Sequence, residues 1–116
     1  MGRTPVVFDI MTYPAVEIVR RIEDALAGQP RLSLSVFCRE LNLSRQYAAQ
    51  AIRQTKGITF RDMQQEVILR KAKEMLAQPG ATVQEVALAL GYRHAEDFGR
   101  FVRRKTSRKA SDLRKG

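Results

Sequence analysis

The sequence predicts an all-α protein of about seven helices, in which one pattern of short helix, tight turn and second helix occurs twice around a long central helix. Three observations lead there. Apolar residues recur at spacings of three and four in every segment, which puts them on one face of a helix. The segments are separated by residues that start or stop helices. The second half then repeats the first at an almost constant offset.

The elements follow in order. Residues 1–13 carry Val6, Val7, Phe8, Ile10 and Met11 and read as an N-terminal arm that covers a core edge, or as a partner contact. A first subdomain spans 14–58. Its opening helix starts at Pro14, buries Val19, Ile22 and Leu26 with Ile18 and Ala25 beside them, and stops at Gly28 and Pro30. Ser33 caps a short helix with Val36, Phe37, Cys38 and Leu41. Asn42-Leu43 turns the chain, since Asn tolerates a left-handed backbone. Ser44 caps the next helix, to about Thr55, and Gly57 ends it. A linker helix fills 59–78, capped by Thr59 and running from Phe60 to about Ala77. Its expected inward stripe is Phe60, Met63, Val67, Ala72, Met75 and Leu76, with Leu69 alongside. The second subdomain spans 79–116. Thr82 caps a helix with Val83, Val86, Ala87 and Leu90, Gly91-Tyr92 turns, and a helix from Ala95 to about Lys105 carries Phe98, Phe101 and Val102. One more short helix is expected around Leu113.

The halves correspond by position. Val83, Val86, Ala87 and Leu90 stand 49 residues after Leu34, Phe37, Cys38 and Leu41, and Phe98, Phe101 and Val102 stand 50 after Ala48, Ala51 and Ile52. One extra residue in the second turn accounts for the change. Small residues at Cys38 and Ala87 and turn-formers at Asn42 and Gly91 argue for duplication over chance periodicity.

Composition bounds the chemistry. The chain has 116 residues, a formal net charge of +9 and a pI near 10.4, a balance that favours polyanionic partners. The excess is uneven: +3 over Met1 to Tyr92 and +6 over Arg93 to Gly116. Cys38 is the only cysteine and His94 the only histidine, too few ligands for a structural zinc site. No metal or cofactor is expected. No catalytic pair of carboxylates, nucleophile with base, or glycine-rich phosphate loop is evident, so an enzyme is not expected. No run of about 18 apolar residues suggests a membrane span, and no secretion signal is legible. The expected location is the cytoplasm.

Each repeat has the makings of a helix-turn-helix. Where two helices cross closely the contact needs a small side chain (Cys38, Ala87), the corner needs an unusual backbone (Asn42, Gly91), and a plug fills behind it (Leu43, Tyr92). At these residues the sequence resembles the DNA-binding domain of the AraC/XylS family of bacterial regulators. The resemblance rests on Leu32-Ser33-Leu34, Leu41-Asn42-Leu43-Ser44, Lys56-Gly57-Ile58-Thr59-Phe60, Arg70-Lys71-Ala72-Lys73-Glu74-Met75-Leu76, Val83 through Tyr92 and Phe98-Gly99-Arg100-Phe101. It runs from about residue 15 to residue 114 and implies two helix-turn-helix subdomains joined by a central helix. Two departures stand out. Ala48, Ala51 and Ile52 replace larger apolar residues, so looser packing is expected there. The usual Phe-Gly-x-x-Pro stretch reads Thr106-Ser107-Arg108-Lys109-Ala110, and Leu113 stands for the terminal aromatic, so the last helix lacks its usual determinants.

The expected DNA contacts of the first unit are Ser44, Arg45, Gln46, Ala49, Gln50, Arg53 and Lys56. The resemblance implies base reading from Gln46, Ala49 and Gln50. Gln pairs with adenine, Ala touches a thymine methyl, and Arg45, Arg53 and Lys56 suit phosphates. In the second unit the expected set is His94, Glu96, Asp97, Gly99, Arg100, Arg103, Arg104 and Lys105. Arg100 suits guanine. Glu96 and Asp97 either accept from cytosine or serve the helix N-terminus, the second being favoured. His94 caps or meets phosphate, and Arg103, Arg104 and Lys105 face phosphates. For any one residue of the first unit, taken without the repeat, a solvated helix face is the favoured reading.

The linker helix, about 27 Å long, together with helix widths spaces the two reading helices near one DNA turn, about 34 Å. The expected function is therefore sequence-specific binding of double-stranded DNA through successive major grooves, with transcription regulation. The resemblance implies activation through RNA polymerase. No small-molecule effector domain is visible, as in standalone members of the family. The alternatives are an interaction adaptor that keeps the fold without reading DNA, and a binder of structured RNA.

Overall fold

The computed structural model describes residues 14–115, and all of its regular structure is helical. The arm expected at 1–13 lies outside the described residues. Six α-helices and a closing 3₁₀ helix form two compact units, each with its own apolar core.

The first unit holds residues 14–28 and Leu32–Met63. Helix α1 (Ala15–Gly28) buries Ile18, Val19, Ile22 and Leu26, the face its spacing predicts. Helix α2 (Leu34–Leu41) begins where the Ser33 hydroxyl accepts the Val36 amide at 3.1 Å. Helix α3 (Arg45–Lys56) begins likewise, the Ser44 hydroxyl accepting from Tyr47 at 3.0 Å, and ends at Gly57. Such caps each contribute about 1 kcal/mol by satisfying an otherwise open amide. Both α1 and α2 pack on α3. Ala48, Ala51 and Ile52 are all buried, so the small side chains form the packed face of α3 itself.

The second unit holds Gln29–Arg31 and residues 64–115. Helix α4 (Phe60–Leu76) starts on a reciprocal cap, Thr59 with Asp62. Its buried residues are Met63, Val67, Ile68, Ala72 and Leu76. The expected stripe omitted Ile68 and included Phe60 and Met75, which are only half-buried. Met63 belongs to the first unit and the later residues to the second, so the apolar face steps round the helix and does not follow one period.

Helix α5 (Val83–Ala89) opens on a full capping box between Thr82 and Glu85. It packs on α6 (Ala95–Thr106). The core joins Ile68, Ala72 and Leu76 of α4 to Val86, Ala87, Leu90, Tyr92, Phe98, Phe101 and Val102. Within it Phe98 lies 5.4 Å from Tyr92 between ring centroids, and Phe101 lies 6.4 Å from Tyr92. The loop before α2 adds to this unit. Gln64 donates to the Pro30 carbonyl at 2.9 Å, and the Arg31 guanidinium sits 4.2 Å from the Tyr92 ring centroid.

The closing helix forms despite its unusual sequence, as a 3₁₀ helix over Ala110–Lys115 that buries Ala110 and Leu113 in the same core. The turn into it places Ser107 in the left-handed region, with φ of 61°. Thr106 stabilises the turn, donating its hydroxyl to the Val102 carbonyl at 2.8 Å and accepting the Arg108 amide at 3.1 Å. Arg108 reaches on to the Asp112 carbonyl at 2.7 Å. A non-glycine residue in that backbone costs about 1–2 kcal/mol. Ser107→Gly is therefore expected to raise stability by about 1 kcal/mol, or about 4 °C in melting temperature. Thermal unfolding checks this, and an unchanged or lower midpoint would contradict it.

Candidate nucleic-acid interface

The two corners have the same hydrogen bonds at an offset of 49 residues. In the first unit the Leu43 amide donates to Cys38 at 2.9 Å and the Asn42 amide to Arg39 at 3.3 Å; in the second Tyr92 donates to Ala87 at 2.9 Å and Gly91 to Leu88 at 3.0 Å. This is a Schellman ending, which turns the chain sharply through one left-handed residue. That residue is Asn42 with φ of 58° and Gly91 with φ of 100°. Behind each corner Leu43 and Tyr92 are buried as plugs, and Cys38 and Ala87 are buried at the crossing. Cys38 also donates its thiol to the Ser44 carbonyl at 3.7 Å, so it ties α2 to the start of α3. Burial pushes this thiol up from its ordinary pKa, opposed by the charge of Arg45. Burial likewise raises the Tyr92 phenol, against the cations Arg31 and Arg104.

Each corner delivers a helix with one buried and one exposed face. On α3 the buried residues are Ala48, Ala51 and Ile52. Gln46, Ala49, Gln50 and Arg53 are all exposed on the other side, at the spacing of a single helical stripe, with Arg45 beside them. Ser44 is exposed but its hydroxyl is engaged as the cap. Lys56 pairs with Glu23 of α1 at 3.1 Å. Both partners are partly exposed, and such a surface pair contributes little, so the ammonium can exchange its partner for a phosphate.

On α6 the matching stripe lies 50 residues later, at Glu96, Gly99, Arg100 and Arg103. Glu96, Arg100 and Arg103 are exposed, and Gly99 is half-buried with nothing within 4 Å of where a Cβ would stand. Arg104 and Lys105 are exposed in the last turn, where cations also suit the helix dipole. His94 occupies the N-cap position but its side chain makes no cap hydrogen bond, which corrects the capping role offered for it. Its backbone carbonyl takes the Asp97 amide at 3.1 Å instead. Glu96 and Asp97 lie in the first turn, as the dipole favours, yet the Asp97 carboxylate turns away from the helix end and accepts from Arg100.

Two residues outside the expected set stand beside these surfaces. Tyr47 keeps 37% of its surface exposed on α3 between Gln46 and Ala49; an aromatic on a polar helix face was the available signal. Arg31 braces the second plug, and nothing local in its sequence announces that role. Among the described residues no cluster of His, Cys, Asp or Glu is arranged for a metal ion, and no helix is long and apolar enough to cross a membrane.

A family model described as a helix-turn-helix domain matches residues 37–116. No curated protein matches the chain. Among solved structures, the C-terminal domain of AraT, a response regulator from Geobacillus stearothermophilus, is 26% identical with a TM-score of 0.76, the match covering 84% of each chain. The C-terminal domain of the response regulator yesN from Fusobacterium nucleatum is 23% identical with a TM-score of 0.74, covering 86% of this chain and 97% of that one. The DNA-binding domain of AdpA, a global transcriptional factor solved in complex with a target DNA, is 19% identical with a TM-score of 0.71, covering 90% and 92%. At the two lower identities the likeness is one of fold.

Proposed function

Since the chain belongs to the AraC-type helix-turn-helix family of DNA-binding transcription regulators, we propose that it binds specific sequences of double-stranded DNA with α3 and α6 in successive major grooves. The observation that carries this is the repeated corner: the same Schellman bonds recur 49 residues apart, and each delivers an exposed polar and basic helix face. The 17 residues of α4 span about 26 Å. Gln46, Ala49 and Gln50 read bases from α3, and Arg100 reads from α6 beside Glu96 and Gly99. Arg45, Arg53, Lys56, Arg103, Arg104 and Lys105 hold phosphates, with Ser44 and His94 at the helix ends against the backbone. We read the protein as a bacterial, cytoplasmic activator that contacts RNA polymerase, in line with the family it belongs to.

Selection from a randomised duplex pool, followed by hydroxyl-radical footprinting on the enriched site, tests the binding mode. Two protected patches about 10 base pairs apart on one face of the duplex are expected. Equal affinity for all duplexes, with competition by structured RNA, would favour an adaptor or RNA-binding role. Transcription from a promoter bearing the enriched site, with purified polymerase, tests activation; no increase over polymerase alone would refute it.

The two classes of contact separate in a second measurement. Gln50→Ala is expected to relax base preference at one position by about 1–3 kcal/mol. Lys105→Ala is expected to weaken all sequences alike and to lower the salt slope by about one. Identical effects from both changes would refute the assignment.

A further inference from the structure

We propose that Asp97 is a positioning residue that holds the Arg100 guanidinium ready for a guanine, so that the second unit reads DNA through an acid–arginine couple. The inference rests on the reading of α6 as a recognition helix and adds to it a residue that fixes specificity without touching a base.

The geometry begins with one helical turn. Asp97 and Arg100 are three residues apart on α6, and Arg100 Nη2 donates to Asp97 Oδ1. Their side chains are 48% and 71% exposed, so the couple lies at the surface and burial does not force it. A guanidinium carries five N–H donors, and this contact uses one. The donors left are more than enough for the two-point contact with O6 and N7 of guanine. A free arginine has many rotamers to lose on binding and takes any phosphate within reach. Pairing with Asp97 restricts the rotamers and partly neutralises the charge, which biases Arg100 against phosphate without barring it.

The first unit has no such couple. The residues of α3 matching Asp97 and Arg100 are Tyr47 and Gln50, and α3 carries no acid at all. A carboxylate on a face that approaches DNA repels phosphates. Glu96, its neighbour, forms no ion pair among the described residues, so the pairing is particular to Asp97 and does not extend to every acid of the first turn. An exposed ion pair on a helix contributes little to folding, which leaves the orientation of Arg100 as the effect with consequence.

The test uses the full chain and a randomised duplex pool, with the base profile of the enriched sites read by sequencing. The unmodified protein is expected to enrich a site with a guanine that Arg100→Ala no longer selects. Asp97→Ala is expected to lower the preference for that same guanine roughly tenfold, while affinity for unrelated duplex rises because a repelling charge is gone. Asp97→Asn keeps an acceptor and is expected to retain part of the preference. With Arg100 already replaced by Ala, Asp97→Ala is expected to cost no further preference. An unchanged base profile in Asp97→Ala, with affinity raised on every sequence, would show only phosphate repulsion and sink the inference. A uniform loss of affinity with a lowered melting temperature would show a folding role and sink it too. If the unmodified protein enriches no site, the reading of sequence-specific binding fails first and takes this inference with it.

Discussion

Phe98→Ala is expected to unfold the second unit while the first keeps its helices. Phe98 is fully buried at the start of α6, beside the Tyr92 ring and within the cluster that joins α4, α5, α6 and the closing 3₁₀ helix. Truncating such a ring removes transfer energy and leaves a cavity, together about 3–5 kcal/mol. A small unit has little surplus, since whole domains are stable by only about 5–15 kcal/mol. Each unit has its own set of buried residues, and Ile18, Ile22, Leu26 and Ile52 of the first are far from Phe98 in sequence and in a different core. Hydrogen exchange followed by mass spectrometry is the measurement: amides of α5 and α6 should lose protection while those of α1 and α3 keep it. Uniform loss across both units would mean a single cooperative core and contradict the expectation.

Gly91→Val should be the most damaging change at a corner, and Asn42→Gly at the equivalent corner should be nearly silent. Gly91 has a φ of 100°, and a Cβ there would stand 3.0 Å from Arg31 Cγ and 3.4 Å from Arg31 Cβ. Relief would have to come from moving Arg31 off the Tyr92 ring. A β-branched residue in that backbone costs about 2–3 kcal/mol from conformation and contact together. Asn42, with φ of 58°, already sits where Asn is tolerated. Glycine relaxes the backbone there but adds entropy to the unfolded chain, so the net change is within about 0.5 kcal/mol. Denaturant titration of both variants decides the matter, and equal losses would refute the claim that the two corners differ in tolerance.

Much of the architecture was legible because it is local. Ser33, Ser44, Thr59 and Thr82 stand where the sequence predicts caps, and each hydroxyl accepts the amide three residues on. Backbone tolerance and the repeat predict corners at Asn42 and Gly91, and both have positive φ. The exposed stripe on α3 follows from periodicity. The departures arise where a residue answers to something distant. Ile68 is buried because α4 serves the second core there. His94 occupies the cap position, but its side chain makes no cap hydrogen bond and its backbone carbonyl takes the Asp97 amide. Asp97 turns to Arg100, an option that sequence spacing permits but does not select.

Helix starts, helix ends and the duplicated corner were determined by the sequence alone, since each depends on residues within a turn or two of one another and on backbone preferences that hold in any context. Only the tertiary structure decided that Arg31 braces Tyr92, that Lys56 meets Glu23, and that the C-terminal stretch closes the second core through Ala110 and Leu113. These contacts join residues far apart in the chain. Their existence depends on which surfaces meet once apolar area has left water, and no spacing rule within one segment encodes that.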